Sequence, residues 1–192
     1  MELISKPQLD YFTRMLAAFS LVKIDSGNQK AIDALVELIG KPQLDDDTQR
    51  RQAAESLGQI GSGNQKAIDA LVELINKPQL DDDTRSQAAE SLGQIGSGNQ
   101  KAIDALVELI DKPQLDDDSR WQVAESLGQI MLEEQMPSVV TVLKDYLSPK
   151  TYENDFERFN NCYKVIWKCA QSLPYPAFYQ AWHQQEKVKD GE

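Results

Sequence analysis

The sequence predicts an all-α protein built as a right-handed α-solenoid, a superhelix of stacked helix pairs. Three observations carry that prediction. A repeat of 35 or 36 residues runs through most of the chain, each repeat holds two apolar stripes at helical spacing, and a proline-bearing turn separates the stripes. With 192 residues and 41% hydrophobic content the chain is long enough to bury a core.

The repeats are close to identical. AAESLGQI (53–60), AAESLGQI (88–95) and VAESLGQI (123–130) set Leu57, Leu92 and Leu127 35 residues apart, and GNQKAIDALVELI recurs from Gly27, Gly63 and Gly98. One helix pair cannot cover both of its own stripes, so successive pairs must stack into a continuous core.

The first repeat is expected to be truncated. MELISKPQLD (1–10) matches VELINKPQLD (72–81) almost letter for letter, which places residue 1 inside the end of a first helix. Its partner helix, from Asp10 to about Ile24, carries Phe19 where later repeats have Glu55 and Glu90, and Leu16 where they have Gln52 and Gln87. Tyr11 and Phe12 likewise replace acidic residues. A terminal repeat normally turns a polar face outward. Tyr11, Phe12, Leu16 and Phe19 are therefore candidates for an N-terminal interface, with another domain or by self-association.

In each full repeat the first helix reads AIDALVELI. From Ala31 onward, Ile32, Leu35, Val36 and Ile39 fall at i, i+3, i+4 and i+7 and form one stripe. The connector KPQLDDD ends that helix with Pro42, Pro78 or Pro113 and offers aspartates to cap the next. In the second helix Ala53, Ala54, Leu57 and Ile60 form the buried stripe. Gly58 admits a close neighbour, and Gly61 is a favoured helix-ending residue.

The pattern Arg, two residues, Ala-Ala, two residues, Leu-Gly, one residue, Ile-Gly recurs at Arg50 to Gly61 and Arg85 to Gly96. It resembles the HEAT-like repeats named from phycobilisome lyases, over roughly residues 5–131. Arg14, Arg50, Arg85 and Arg120 are expected to bridge to aspartates of their own or the next turn, and the resemblance implies that such a ladder holds neighbouring units in register. The expected domain plan is HEAT-like repeats over 1–131, a degenerate capping repeat plus terminal helix over 132–186, and a polar tail over 187–192.

Beyond Ile130 the repeat changes character. PSVVTVLKDYL (137–147) keeps a first-helix stripe, but YENDFERFNNCYKVIWKCAQSL (152–173) is longer and aromatic, so Phe156, Phe159, Tyr163, Ile166 and Trp167 are expected to cap the core. A short helix with Phe178, Tyr179 and Trp182 follows. NNCYKVIWKCAQSLPYPAFYQAWH (160–183), beside near-identical upstream repeats, resembles the HEAT-containing region of bacterial NACHT-type STAND NTPases. That resemblance implies a regulatory or sensor region. No GxxxxGK[ST] occurs in the chain, so nucleotide hydrolysis is not assigned to it.

Catalytic chemistry finds little support. His183 is the only histidine, which excludes sites built on several, and no serine or cysteine arrangement stands beside it to be activated. Asp45–Asp47, Asp81–Asp83 and Asp116–Asp118 are consecutive, whereas calcium loops alternate their ligands; helix capping explains them better. Cys162 and Cys169 lie seven apart in an aromatic helix, about 10 Å along it, and read as core residues. No enzyme activity, cofactor or metal is expected.

The net charge of -11 disfavours nucleic acid and anionic membranes as partners. The N-terminus lacks the charged start and apolar run of a signal peptide, so a cytoplasmic location is expected. If the second helices line the concave side, their polar positions recur as rows: Glu55, Glu90 and Glu125; Gln52, Gln87 and Gln122; Gln59, Gln94 and Gln129. Trp121 replaces the polar Arg51 and Ser86 beside them and would anchor a partner. The function read from the sequence is a non-catalytic protein–protein interaction or regulatory scaffold, part of a larger signalling NTPase. The alternative is a phycobilin lyase-like or chaperone-like subunit.

Overall fold

The structure, a computed structural model, describes residues 13, 16–18, 20–21, 27–40, 47–112 and 115–184. Helix pairs follow one another: α1 (Gln29–Gly40) and α2 (Asp47–Ile60), α3 (Gln65–Ile75) and α4 (Asp82–Ile95), α5 (Gln100–Asp111) and α6 (Asp117–Ile130). Next come α7 (Met136–Leu143), a 3₁₀ turn (Lys144–Tyr146), the short α8 (Pro149–Asn154), the long α9 (Phe156–Ser172) and α10 (Tyr175–His183). No strand occurs among the described residues. The molecule is an all-α repeat solenoid.

The two layers follow from the stripes. First helices pack on first helices, α1 on α3 and α3 on α5; second helices pack on second helices, α2 on α4, α4 on α6 and α6 on α9. Between the layers lies one continuous core that includes Leu35, Leu57, Leu71, Leu92, Leu106 and Leu127, all fully buried. The second layer is the tighter. A Cβ placed on Gly58 would meet Ser91 Oγ at 2.9 Å and Ser91 Cβ at 3.0 Å, and one on Gly93 would meet Ser126 Cβ at 3.0 Å. The Leu-Gly step is thus what lets consecutive second helices approach.

Helix starts are capped as their sequences dictate. Asp81 Oδ1 accepts from the Thr84 N–H at 2.9 Å and Asp116 Oδ1 from the Ser119 N–H at 2.8 Å, which satisfies otherwise free donors. The first helices use Asn28, Asn64 and Asn99 in the same way, a role the sequence reading did not assign.

Gly61 follows the last residue of α2, as expected, and the left-handed turn residue beyond it is Gly63, at φ +66°, with Gly27 and Gly98 alike. Gly96, which ends α4, sits at φ -93°. These turns then serve a neighbour: the Gly63 N–H donates to the Ile95 carbonyl at 3.2 Å, and the Gly98 N–H to Ile130 at 2.8 Å, closing the end of the next second helix.

Among the described residues the repeated arginine column pairs, at Arg50 and Arg85, with aspartates of its own turn, one of the two arrangements expected, and forms no ladder between repeats. Arg85 is buried inside its own repeat, where it donates to the carbonyls of Ile75 (3.0 Å), Lys77 (3.3 Å) and Leu80 (3.0 Å). Arg120 does the same for Ile110, Lys112 and Leu115. A first helix ends in carbonyls without helical partners, at the negative end of its dipole, and a guanidinium with a fork of donors fits that place. Arg50 binds Asp47 at 2.7 Å and Arg85 lies 3.8 Å from Asp82, each three residues away on its own helix. Arg14 lies outside the described residues.

Register is carried on the first helices instead. Lys66 reaches Asp33 of the preceding repeat at 2.9 Å, and Lys101 reaches Asp69 at 2.6 Å. Hydrogen bonds from Lys66 and Lys101, chiefly, hold the Asp33 and Asp69 carboxyls below the usual carboxylate range. A carboxyl with a lowered folded pKa stabilises above its unfolded pKa, and that contribution is lost as pH falls through the folded value. Replacing both lysines by alanine is expected to cost only about 0–1 kcal/mol per pair at pH 7, because the pairs are exposed. The difference from wild type should shrink below about pH 4 and vanish once both carboxyls are protonated. Urea titrations across that range measure it; a difference independent of pH would assign the effect to packing.

The C-terminal cap is also corrected in part. Ile166 is buried, but Phe156, Tyr163 and Trp167 are about half exposed; Asn161, Cys162, Val165 and Cys169 join Ile166 in the core.

Candidate functional site

The second-helix rows bring four of the ten predicted partner-binding residues into one groove of about 630 Å³. Gln87, Glu90, Trp121 and Gln122 line it, together with Arg51, Asp83, Ser86, Asp116, Asp118 and Ser119. Gln52, Glu55, Gln59, Gln94, Glu125 and Gln129 lie outside its lining. Gln94 is drawn aside by packing, its Oε1 only 2.5 Å from where a Gly58 Cβ would stand.

The groove sits at the starts of α4 and α6. Its geometry follows from one column of the repeat, because Arg51, Ser86 and Trp121 occupy equivalent positions and all three face it. Trp121 is 48% exposed, unusual for so large an apolar surface. The acidic lining comes from the DDD connectors: Asp83, Asp116 and Asp118, with Glu90, stand against one cation, Arg51, which lies 3.5 Å from Asp83. The Ser119 N–H holds the Asp116 carboxyl below its ordinary range, so this charge persists in mild acid. Arg51, Asp83 and Asp118 were not predicted as site residues; the signal available was that they share the Trp121 column and the connector beside it.

Among the described residues the two thiols and the histidine form no catalytic cluster. Cys162 and Cys169 are fully buried, and burial pushes their thiols up to about 12 and about 11, far from a reactive thiolate. His183 is exposed and lies against the Tyr179 ring, centroids 4.2 Å apart. Among the described residues no group of His, Cys, Asp and Glu is arranged to hold a metal ion. No helix among them is long and apolar enough to cross a membrane. Of the predicted N-terminal interface, Leu16 is 47% exposed, while Tyr11, Phe12 and Phe19 lie outside the described residues.

The repeat geometry has relatives. Residues 8–93, 42–127 and 80–153 match the family described as HEAT repeats. The chain belongs to the HEAT-repeat family. Where the HEAT array stops, residues 155–183 match the family described as NACHT C-terminal Cysteine and Histidine-containing; this stretch holds α9 and α10 with Cys162, Cys169 and His183. The HEAT array is similar in fold to a chain in the structure of the complex of CpcE and CpcF of phycocyanin lyase from Nostoc sp. PCC7120. The TM-score is 0.58 at 24% identity, over 92% of this chain and 65% of that one, so this chain spans less than two thirds of its neighbour. At that identity the likeness concerns the fold alone. No curated protein matches the sequence.

Proposed function

We propose that this HEAT array is a non-catalytic protein-interaction scaffold that works as a regulatory part of a NACHT-type signalling NTPase and binds a basic polypeptide segment in the groove around Trp121. The match of residues 155–183 to a NACHT-associated family supports the placement in such a chain. The observation that carries the binding reading is Trp121, half exposed in a groove with four carboxylates and one guanidinium. A lysine or arginine can stack on the indole while its charge meets Asp116 or Asp118. Wide, uniform rows beyond the groove supply register for a longer segment.

The test is titration of a fluorescently labelled Lys/Arg-rich peptide at low and high salt. Saturable binding that weakens with salt is expected, and Trp121→Ala should lower affinity roughly tenfold or more. Binding indifferent to Trp121→Ala and to reversal of Asp83 and Asp118 would sink the reading.

A second reading, a phycobilin lyase-like or chaperone-like subunit, is favoured by the fold shared with the phycocyanin lyase structure. It requires a bilin or a partner subunit to bind. A changed bilin absorbance spectrum on mixing would support it, and an unchanged one would count against bilin handling.

A further inference from the structure

The last second helix, α9, departs from α2, α4 and α6 at the positions where a following helix would stack. Two observations fix the equivalence. Asp155 caps α9 by accepting from the Arg158 N–H, as Asp116 caps α6 through Ser119. Gln94 stands over Gly58, Gln129 over Gly93, and Lys168 over Gly128, its Cδ 3.5 Å from a Gly128 Cβ. Lys164 therefore continues the row of Glu55, Glu90 and Glu125, and Lys168 the row of Gln59, Gln94 and Gln129. Trp167 takes the position of Gly128, and Tyr163 that of Ala124.

Helix α10 packs on α7 as each first helix packs on the one before it, so it holds the place of one more first helix. Between α9 and α10 opens a cavity of about 320 Å³, lined by Tyr163, Ile166, Trp167, Phe178, Tyr179 and Trp182 among others. It lies where a second helix belongs relative to α10. Its walls are almost wholly apolar and carry no charged side chain, yet Tyr163, Trp167 and Tyr179 are each about half exposed. Lys164, exposed and three residues before Trp167 on α9, borders this aromatic face, while Lys168 turns away to α6 over Gly128. In a chain of net charge -11 this is a cationic border on an aromatic face.

From this juxtaposition we infer that the α9–α10 cavity is a docking site for an amphipathic α-helix of a protein partner, which adds to the array as one more second helix. Its apolar stripe fills the aromatic walls, with knobs at i, i+3, i+4 and i+7, and a carboxylate beside the stripe meets Lys164. The sign of charge is opposite to that of the Trp121 groove. The two sites thus select different segments, and this inference does not rest on the reading of that groove.

The test is selection from a displayed library of 16-residue helices, run on the full chain and on three variants. Enriched sequences should combine an apolar stripe with Asp or Glu on one flank. Trp167→Ala should weaken a selected peptide roughly tenfold or more, because a half-exposed aromatic in the cavity wall is the expected anchor. Lys164→Glu, at an exposed position, should switch selection to Lys or Arg on that flank. Trp121→Ala should change nothing, which separates this site from the groove. Enrichment of basic or uncharged helices, or peptides insensitive to Trp167→Ala, would overturn the inference. So would sedimentation showing the chain itself dimerising through Trp167, since the occupant would then be a second copy.

Discussion

Arg120→Met is expected to lower stability by about 3 kcal/mol, the size of effect found when a buried charged donor is removed and its acceptors are left without partners. Arg120 is 3% exposed and serves three carbonyls, those of Ile110, Lys112 and Leu115. These groups end α5 and form the connector to α6, so the guanidinium ties a repeat's two helices together from inside. Methionine preserves much of the apolar stem but returns three buried acceptors to no donor. Lysine should rescue little, because one ammonium cannot span the same fork. The comparison is Arg51→Met, whose side chain is 43% exposed and paired only with the open Asp83, and which should fall within about 0.5 kcal/mol of wild type. Hydrogen exchange should locate the loss of protection at the end of α5 and the start of α6. Equal destabilisation by both substitutions, or full rescue by Arg120→Lys, would reject the capping role.

That role was only half legible in the sequence. The arginine column was plain, and its partner was read as aspartate because acidic residues crowd the connector. The aspartates are there for Arg50 and Arg85, within their own turns, but burial adds partners that reading missed: Arg85 and Arg120, three positions before the buried small-residue pair, face the helix interface, where the nearest acceptors are main-chain carbonyls that sequence does not display. Register followed the same logic in reverse. The lysine and aspartate of GNQKAID are in view in every repeat, but their pairing needs the offset between neighbouring units, which the stacked structure supplies. What the sequence conveyed well was the periodic frame: the two stripes, the turn at Pro78, the caps at Asp81 and Asp116, and Gly58. The groove was legible one residue at a time through Trp121, while its acidic wall depended on connectors from two repeats meeting. The cavity between α9 and α10 escaped notice because its aromatics read as core; with no further second helix over them among the described residues, several remain at the surface.

The same substitution, glycine to alanine, is expected to change sign between two ends of neighbouring helices. At Gly61 a Cβ would lie 2.6 Å from the Leu57 carbonyl oxygen, 2.8 Å from Ala67 Cβ and 3.1 Å from Ile95 Cδ1. The first two atoms belong to the backbone or sit directly on it, so no rotamer change relieves them, and α2, α3 and α4 are crowded at once. Gly61→Ala should therefore cost about 2 kcal/mol, within the range for overpacking. At Gly40, the last residue of α1, the added methyl meets nothing within 4 Å, and the higher helix propensity of alanine should gain about 0.5 kcal/mol or more. Gly63→Ala tests a different cause. Its Cβ has open space, but its φ of +66° is left-handed, so a cost of about 1–2 kcal/mol would come from the backbone alone. Denaturant midpoints of the three variants separate crowding from conformation. If Gly61→Ala and Gly40→Ala moved the midpoint alike, the glycine after α2 would be a tolerated residue, and the close approach of three helices at that point would not be what holds one repeat against the next.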